Sequence, residues 1–233
     1  MRVLILAGGL GTRMRAEFPD LPKPLIPVCG RPFLERQIQL LAAHGFKHYT
    51  LCVGYRALQI MEYFGTGATW GVSLAYSVEP TPLGTAGALK HAAADFHETT
   101  LVLNGDTYLD VDYHALIAAQ TRPAAGVAGT LALMAVLNCA GYGEVTVADD
   151  GRIVTFDEKV SGRERRGLVN AGAYVLGPQV LDLIPDGRAS SLERDIFPAL
   201  AAAGRLQGEI VAGSFVDMGT PAGYAELVEL LAC

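Results

Sequence analysis

The chain has 233 residues, enough for one sizeable domain or two small ones. With 51% apolar and only 18% charged residues it can bury a large core, which excludes a disordered or tail-like protein. Its formal charge is −6 and no run of Lys and Arg occurs, so nucleic acid is not an expected partner, and a site for an anionic small molecule has to gather a few cations locally.

Val3–Ala7 reads as a parallel, fully buried strand. It is too short for a signal peptide and flows directly into GGLGTR, so a cytoplasmic protein is expected. From Pro32 to His44, apolar Phe33, Leu34, Ile38 and Leu41 recur at helical spacing, and Gly45 supplies a stop. A strand over Tyr49–Val53, a helix over Tyr55–Phe64 and a strand over Val72–Ser77 follow. PLGTAGALKHAAADF is a glycine loop opening a helix, and Thr100–Leu103 is another buried strand, ending in NGD. This βαβα alternation predicts an α/β fold with a mostly parallel sheet and helices on both faces.

The stretch from Pro123 to Gly143 carries no charge, but Thr130 and Asn138 interrupt it; it predicts a buried strand with flanking turns, not a membrane span. GEVTVADDGRIVTFDEK is two strands about an Asp-Gly turn. NAGAYVL is a strand, SLERDIFPALAAAG a helix, and SFVDMG a short strand before a last helix. The expectation is one compact domain over 1–233, whose later part adds a smaller antiparallel lobe. Cys29, Cys52, Cys139 and Cys233 are scattered without a CxxC pair and are expected to be reduced thiols; the dispersed histidines offer no zinc signature.

The loop after the first strand carries the chemistry. Glycines at the carboxyl edge of a sheet present backbone N–H groups where phosphates bind in open α/β folds. The P-loop pattern is absent, and a dinucleotide fingerprint fails because Met14 occupies its third position. Arg13 lies within the loop, and Lys23 stands between Pro22 and Pro24, whose rigid backbone can aim its ammonium. Arg and Lys converging on a glycine loop point to a polyphosphate.

LAGGLGTRM followed by PKPLIPV, and then EPTPLGTAGAL, LNGD, EK, NAGAYVL and FVDMGTP in that order, resembles the sugar-phosphate nucleotidyltransferases (NDP-sugar pyrophosphorylases) over nearly the whole chain. The resemblance implies a Rossmann-like nucleotidyltransferase fold, with residues 1–120 mainly nucleotide-binding and 121–233 mainly sugar-binding. It also implies a reaction of an NTP with a sugar 1-phosphate that gives an NDP-sugar and pyrophosphate. It places nucleotide contacts on Leu6, Gly8, Gly9, Gly11, Thr12, Arg13, Glu79, Gly84, Thr85 and Asp106. Arg13 and Lys23 are the implied catalytic cations: Arg13 steadies the leaving pyrophosphate, and Lys23 bridges the α-phosphate and the sugar phosphate. Asp106 and Asp217 are the implied Mg²⁺ ligands. Glu158, Lys159 and Asn170 are implied sugar-phosphate contacts, with Gly87 and Gly143 permitting close backbone approach.

EKV stands where many relatives have EKP, and RMRAEF lacks a proline common after the signature arginine. That missing proline, the length and SLERDIF most resemble the heptose 1-phosphate guanylyltransferases; mannose 1-phosphate guanylyltransferases and uridylyl- or thymidylyl-transferring relatives are the alternatives. Glu79 matches the family position at the base edge, and a carboxylate accepts both guanine N–H groups. A nucleotide-sugar-binding regulator without turnover would lack one of the charged positions, and all are present. Because the chain ends soon after Asp217, no added β-helix or acyltransferase domain is expected. Oligomeric state is left open.

Overall fold

A computed structural model describes residues 1–121, 126–158 and 165–232. In chain order the strands are β1 (Val3–Leu6), β2 (Pro27–Val28), β3 (Arg31–Pro32), β4 (His48–Val53), β5 (Ser73–Val78), β6 (Thr100–Asn104), β7 (Thr107–Asp110), β8 (Gly129–Val136), β9 (Glu144–Val147), β10 (Ile153–Asp157), β11 (Gly167–Leu176), β12 (Leu206–Ile210) and β13 (Ser214–Asp217). The helices are α1 (Phe33–Ala43), α2 (Ala57–Phe64), α3 (Gly84–His91), α4 (Tyr113–Gln120), α5 (Phe197–Ala202) and α6 (Pro221–Leu230).

β6, β1, β4 and β5 lie side by side and all parallel, as the βαβα reading requires. The chain leaves β1 toward β4 and β5, then returns to the other side of β1 as β6. The sheet therefore has its switch point between β1 and β6, the position where open α/β sheets bind ligands. β11 joins β6 antiparallel and carries β8 and the β9–β10 hairpin, so the antiparallel part grows out of the same nine-stranded sheet.

Alternation along the central strands divides the core. Val3, Ile5, Leu101, Leu103 and Val175 face α1 and α2, whereas Leu4, Val102, Tyr174 and Leu176 face α3 and α5. A third cluster packs Met14, Ile26, Val28, Phe33, Val216, Met218 and Leu227 outside the main sheet. Besides Val28 of β2, its strands are the β7–β13 pair, whose second member comes from near the end of the chain.

Most expected elements are found with ends displaced by up to three residues, α3 stops at His91, five residues before Phe96, and five unexpected labelled elements appear: β2, β3, β7, α4 and β12. SLERDIFPALAAAG is not one α-helix. Ile196 N–H donates to Ser191 O (3.3 Å) and Phe197 N–H to Leu192 O, both i→i−5 bonds, so Leu192–Ile196 is a π-helical turn leading into α5. Cys52 and Cys139 are free and buried, but Cys29 is disulfide-bonded, which corrects the expectation of reduced thiols throughout. Positions scattered in a sequence say nothing about proximity in the fold. Among the described residues no helix is long and apolar enough to cross a membrane.

Candidate active site

The loop after β1 and the turn after β6 meet at the switch point. Gly105 N–H donates to Leu6 O (2.9 Å), and a β-carbon on Gly105 would lie 2.6 Å from that oxygen and 2.9 Å from Ala7 Cα. Only glycine permits this approach, and the approach carries Asp106 to the mouth of the loop. Gln37, buried on α1, braces the turn by donating through Nε2 to Asn104 O (2.9 Å) and Thr107 O (3.1 Å).

Asp217 arrives from the far end of the chain by strand pairing. It stands opposite Thr107 in the β7–β13 ladder, and Met218 N–H donates to Asp106 O (2.9 Å), which sets the two aspartates on adjacent backbone. Val216 and Met218 on either side of Asp217 are buried with Met14 in the third core cluster. Met14, the residue that spoils a dinucleotide fingerprint, thus anchors the glycine loop to the strand of Asp217 and holds Arg13 beside it.

Lys23 sits on a single 3₁₀ turn, Lys23–Leu25, framed by its two prolines. Its Nζ donates to Asp106 Oδ2 at 2.6 Å, with the side chain 11% exposed. A β-carbon built on Gly219 would lie 2.6 Å from Asp217 Oδ1, 3.0 Å from Lys23 Nζ and 3.2 Å from Arg13 Nη2. Two cations and two carboxylates therefore crowd one small volume, and Asp217 Oδ1 also accepts from Gly219 N–H (2.7 Å).

Two adjoining cavities open on this cluster. The first, about 270 Å³, is lined by Leu6, Gly8, Gly9, Glu79, Gly84, Thr85 and Asp106 of the predicted nucleotide residues and by the predicted catalytic Lys23. Gly11, Thr12 and Arg13 lie on the loop beyond that lining; Gly11, at φ +61°, packs against the Lys23 stem. The Glu79 carboxylate lies over Gly8 and accepts from Leu83 N–H (2.9 Å). Burial pushes its pKa up, partly offset by that bond and by His91.

The second cavity, about 200 Å³, is lined by Gly143, Glu158, Asn170 and Asp217, with Thr85, Asn104 and Asp106 shared with the first. It opens where β11 changes partner. Leu168 and Val169 pair with β9, Ala173 onward pairs with β6, and an irregularity between Asn170 and Tyr174 lies between. Gly172 (φ +72°) makes that bulge, and its N–H donates to Asn170 Oδ1 (3.0 Å). Lys159 lies outside the described residues.

Gly87 is placed elsewhere. It faces Leu83 and the backbone of Arg188 rather than the second cavity, and its small size admits the 188–190 segment. Asn104, Thr107, Tyr142, Glu193 and Phe215 line the second cavity without having been singled out in the sequence. Tyr142 could have been suspected from its place next to Gly143, and Glu193 from its place within SLERDIF. Among the described residues no group of three or more His, Cys, Asp or Glu could hold a metal. The aspartate pair offers hard oxygen donors, which suit a magnesium-like cation that takes its remaining ligands from phosphate and water.

A family model described as nucleotidyl transferase matches residues 2–232. The mannose-1-phosphate guanylyltransferase of Mycobacterium tuberculosis is 36% identical over 236 residues, covering 98% of this chain and 65% of that protein. The D-glycero-alpha-D-manno-heptose 1-phosphate guanylyltransferase of Campylobacter jejuni is 33% identical, covering 96% of this chain and 97% of that protein. A crystal structure of HddC from Yersinia pseudotuberculosis complexed with GMP-PN matches with a TM-score of 0.86 at 29% identity, covering 99% of each chain. The chain thus spans just under two thirds of the mycobacterial relative and nearly all of the other two. On the match of a single family model to almost its entire length, this chain belongs to the nucleotidyl transferase family.

Proposed function

We propose that this protein transfers a nucleotidyl group from a nucleoside triphosphate, GTP in preference, to a sugar 1-phosphate, a heptose 1-phosphate in preference, in the cytoplasm. The observation that carries the reading is the meeting of Arg13, Lys23, Asp106 and Asp217 where two cavities share Thr85, Asn104 and Asp106. One cavity has the glycine loop a triphosphate needs. The other has the acceptor Glu158 and the two-sided amide of Asn170 that sugar hydroxyls need.

In the reaction an oxygen of the sugar phosphate attacks the α-phosphorus of the NTP, forming one P–O bond. The bond from the α-phosphorus to the bridging oxygen breaks, and pyrophosphate leaves with that electron pair. Both reactants are anions, so the protein's work is to align them and neutralise charge. Arg13 and the amides of the glycine loop hold the triphosphate and receive the charge that builds on the leaving group. Lys23, aimed from its proline frame, stands where the two phosphates meet. Asp106 and Asp217 would hold Mg²⁺, which when bound supplies further neutralisation of phosphate charge.

For the base, Glu79 in the first cavity offers an acceptor to the paired N–H donors of guanine, and uracil or thymine presents only one donor on the matching edge. The two relatives covered almost end to end by this chain share its compact length, and the Campylobacter protein is a heptose 1-phosphate enzyme by name. The test is pyrophosphate release across four NTPs and a panel of sugar 1-phosphates, with and without Mg²⁺. Release with GTP and a manno-configured heptose 1-phosphate above all others is expected. Preference for UTP or dTTP would overturn the base assignment, and no release with any pair would overturn the activity.

A further inference from the structure

A polar chain links Thr85, at the start of α3 on the wall of the first cavity, to the Asn170 amide that faces the second, and it turns on Glu193. This residue lies in the π-helical turn Leu192–Ile196, is 9% exposed, and lines the second cavity. Turns of this kind are rare and concentrate at functional sites. Glu193 Oε2 accepts from Thr85 Oγ1 (2.6 Å) and Ser191 Oγ (2.8 Å), and Oε1 accepts from Tyr174 Oη at a longer 3.4 Å.

The direction of each bond is determined by the partners. Thr85 Oγ1 accepts from Leu192 N–H (2.8 Å), so its single proton is the one given to Glu193. Tyr174 Oη accepts from two amides, Asn104 Nδ2 (3.2 Å) and Asn170 Nδ2 (3.0 Å), so its proton likewise points to Glu193. Tyr174 is fully buried, and burial with the nearby Glu193 charge raises its pKa well above the phenol range, which keeps it a donor. At the far end, Asn170 Oδ1 accepts from Gly172 N–H (3.0 Å). The Asn170 amide is thereby fixed at both atoms, with one N–H left to serve the cavity. An acceptor-only group at position 193 is what lets the donors on both sides, Thr85 and Tyr174, point toward it.

The backbone follows the same seam. Ser190 N–H donates to Leu83 O (2.9 Å), and Ala86 N–H donates to Ser190 O (3.0 Å). The start of α3, whose Thr85 touches both cavities, is therefore docked on the segment that carries Glu193.

We propose that Glu193 is a positioning residue for sugar 1-phosphate, orienting Asn170 through Tyr174 and holding Thr85 at the wall common to both cavities. It touches neither reacting phosphate. The proposal rests on the reading of the second cavity as the sugar 1-phosphate site.

Glu193→Gln preserves shape but replaces one acceptor oxygen with a donor, leaving either Thr85 or Tyr174 without its acceptor. Tyr174→Phe removes the relay from the other side. Steady-state pyrophosphate release, with Mg²⁺ and saturating GTP, is measured against D-glycero-α-D-manno-heptose 1-phosphate and mannose 1-phosphate, alongside melting temperature. Each variant should raise the sugar 1-phosphate KM about five- to tenfold, the worth of one hydrogen bond, while the GTP KM moves less than about twofold. The double variant should be no worse than the poorer single one, because both break the same chain. An unchanged sugar KM in either folded variant, equal shifts in both KM values, or single effects that multiply in the double variant would overturn the proposal. Should Glu193→Gln not fold, Tyr174→Phe decides by the same KM comparison. Absence of turnover in the unaltered protein rejects the sugar reading and this inference with it, whereas normal turnover there with unmoved variants rejects the inference alone.

Discussion

Lys23 donates to Asp106 Oδ2 at 2.6 Å while its Nζ also lies near the Arg13–Asp217 meeting point, so one ammonium bonds a carboxylate and stands at the proposed phosphate junction. Lys23→Met keeps the stem that packs on Gly11 and removes the charge. It should lower kcat by about 10²- to 10³-fold, the usual worth of one preorganised donor at developing charge, and alter the GTP KM far less. A change confined to KM would reassign Lys23 to ground-state binding. Asp106→Asn and Asp217→Asn keep shape and lose charge, so each should abolish Mg²⁺-dependent turnover while circular dichroism stays native. Full activity in either would reject the metal pair. Glu79 reads differently, because Oε2 already receives Leu83 N–H and only part of the carboxylate is left for a base. Glu79→Gln should narrow the ratio of GTP to UTP turnover rather than abolish either, since one unpaired donor costs about 1–3 kcal/mol. An unaltered ratio would return Glu79 to a loop-bracing role.

The elements that position these groups were legible to different degrees, and the reason is the range over which each is determined. β1 and β6 announce themselves as apolar runs ended by glycine, and β9–β10 as two strands about Asp-Gly, because these are local signals. β7 is four residues beginning directly after a turn and takes its character from pairing with β13, which no local window contains. α4 is apolar around most of its circumference and lacks a clear helical stripe, so its periodicity is faint. The π-helical turn was hidden inside a plausible helix, and the packing of Gly87 against residues 188–190 was equally invisible: both depend on how residues 188–196 dock on α3. Arg13, Lys23 and Asp106 could be read near their motifs, whereas Glu193 and Tyr174 show their connection only in three dimensions. At this scale Gly105 is the sharpest test. Gly105→Ala would drive a β-carbon into Leu6 O and Ala7 Cα, both backbone atoms that cannot step aside. The variant should lose about 1–3 kcal/mol of stability in denaturant unfolding and most of its activity, since the β1 and β6 loops are forced apart. Wild-type stability would show that this contact relaxes freely.

Taken whole, the proposed nucleotide-binding and sugar-binding halves are not separate in structure. β11, from the second half, pairs with β6 from the first, and β13 near the end of the chain pairs with β7. The second core cluster mixes Leu4, Val102 and α3 with Tyr174, Leu176 and α5. Cutting near residue 120 would strip β6 of its antiparallel neighbour β11 and β7 of β13, its one partner strand among the described residues. We therefore propose that residues 1–233 unfold as one cooperative unit, with calorimetric and van't Hoff enthalpies equal. Ligand binding sharpens the test, because anything bound to the native state alone raises the entire transition by RT ln(1 + [L]/Kd), about 2.7 kcal/mol at a hundredfold excess over Kd. For a chain of this size that is roughly 5–10 °C. GTP with Mg²⁺ should move the single transition upward as a whole. In Asp217→Asn the extra shift due to Mg²⁺ should vanish while the shift from GTP alone survives through the glycine loop and Arg13. Two transitions, of which GTP moves only one, would divide the chain into separately stable halves and reject the single unit.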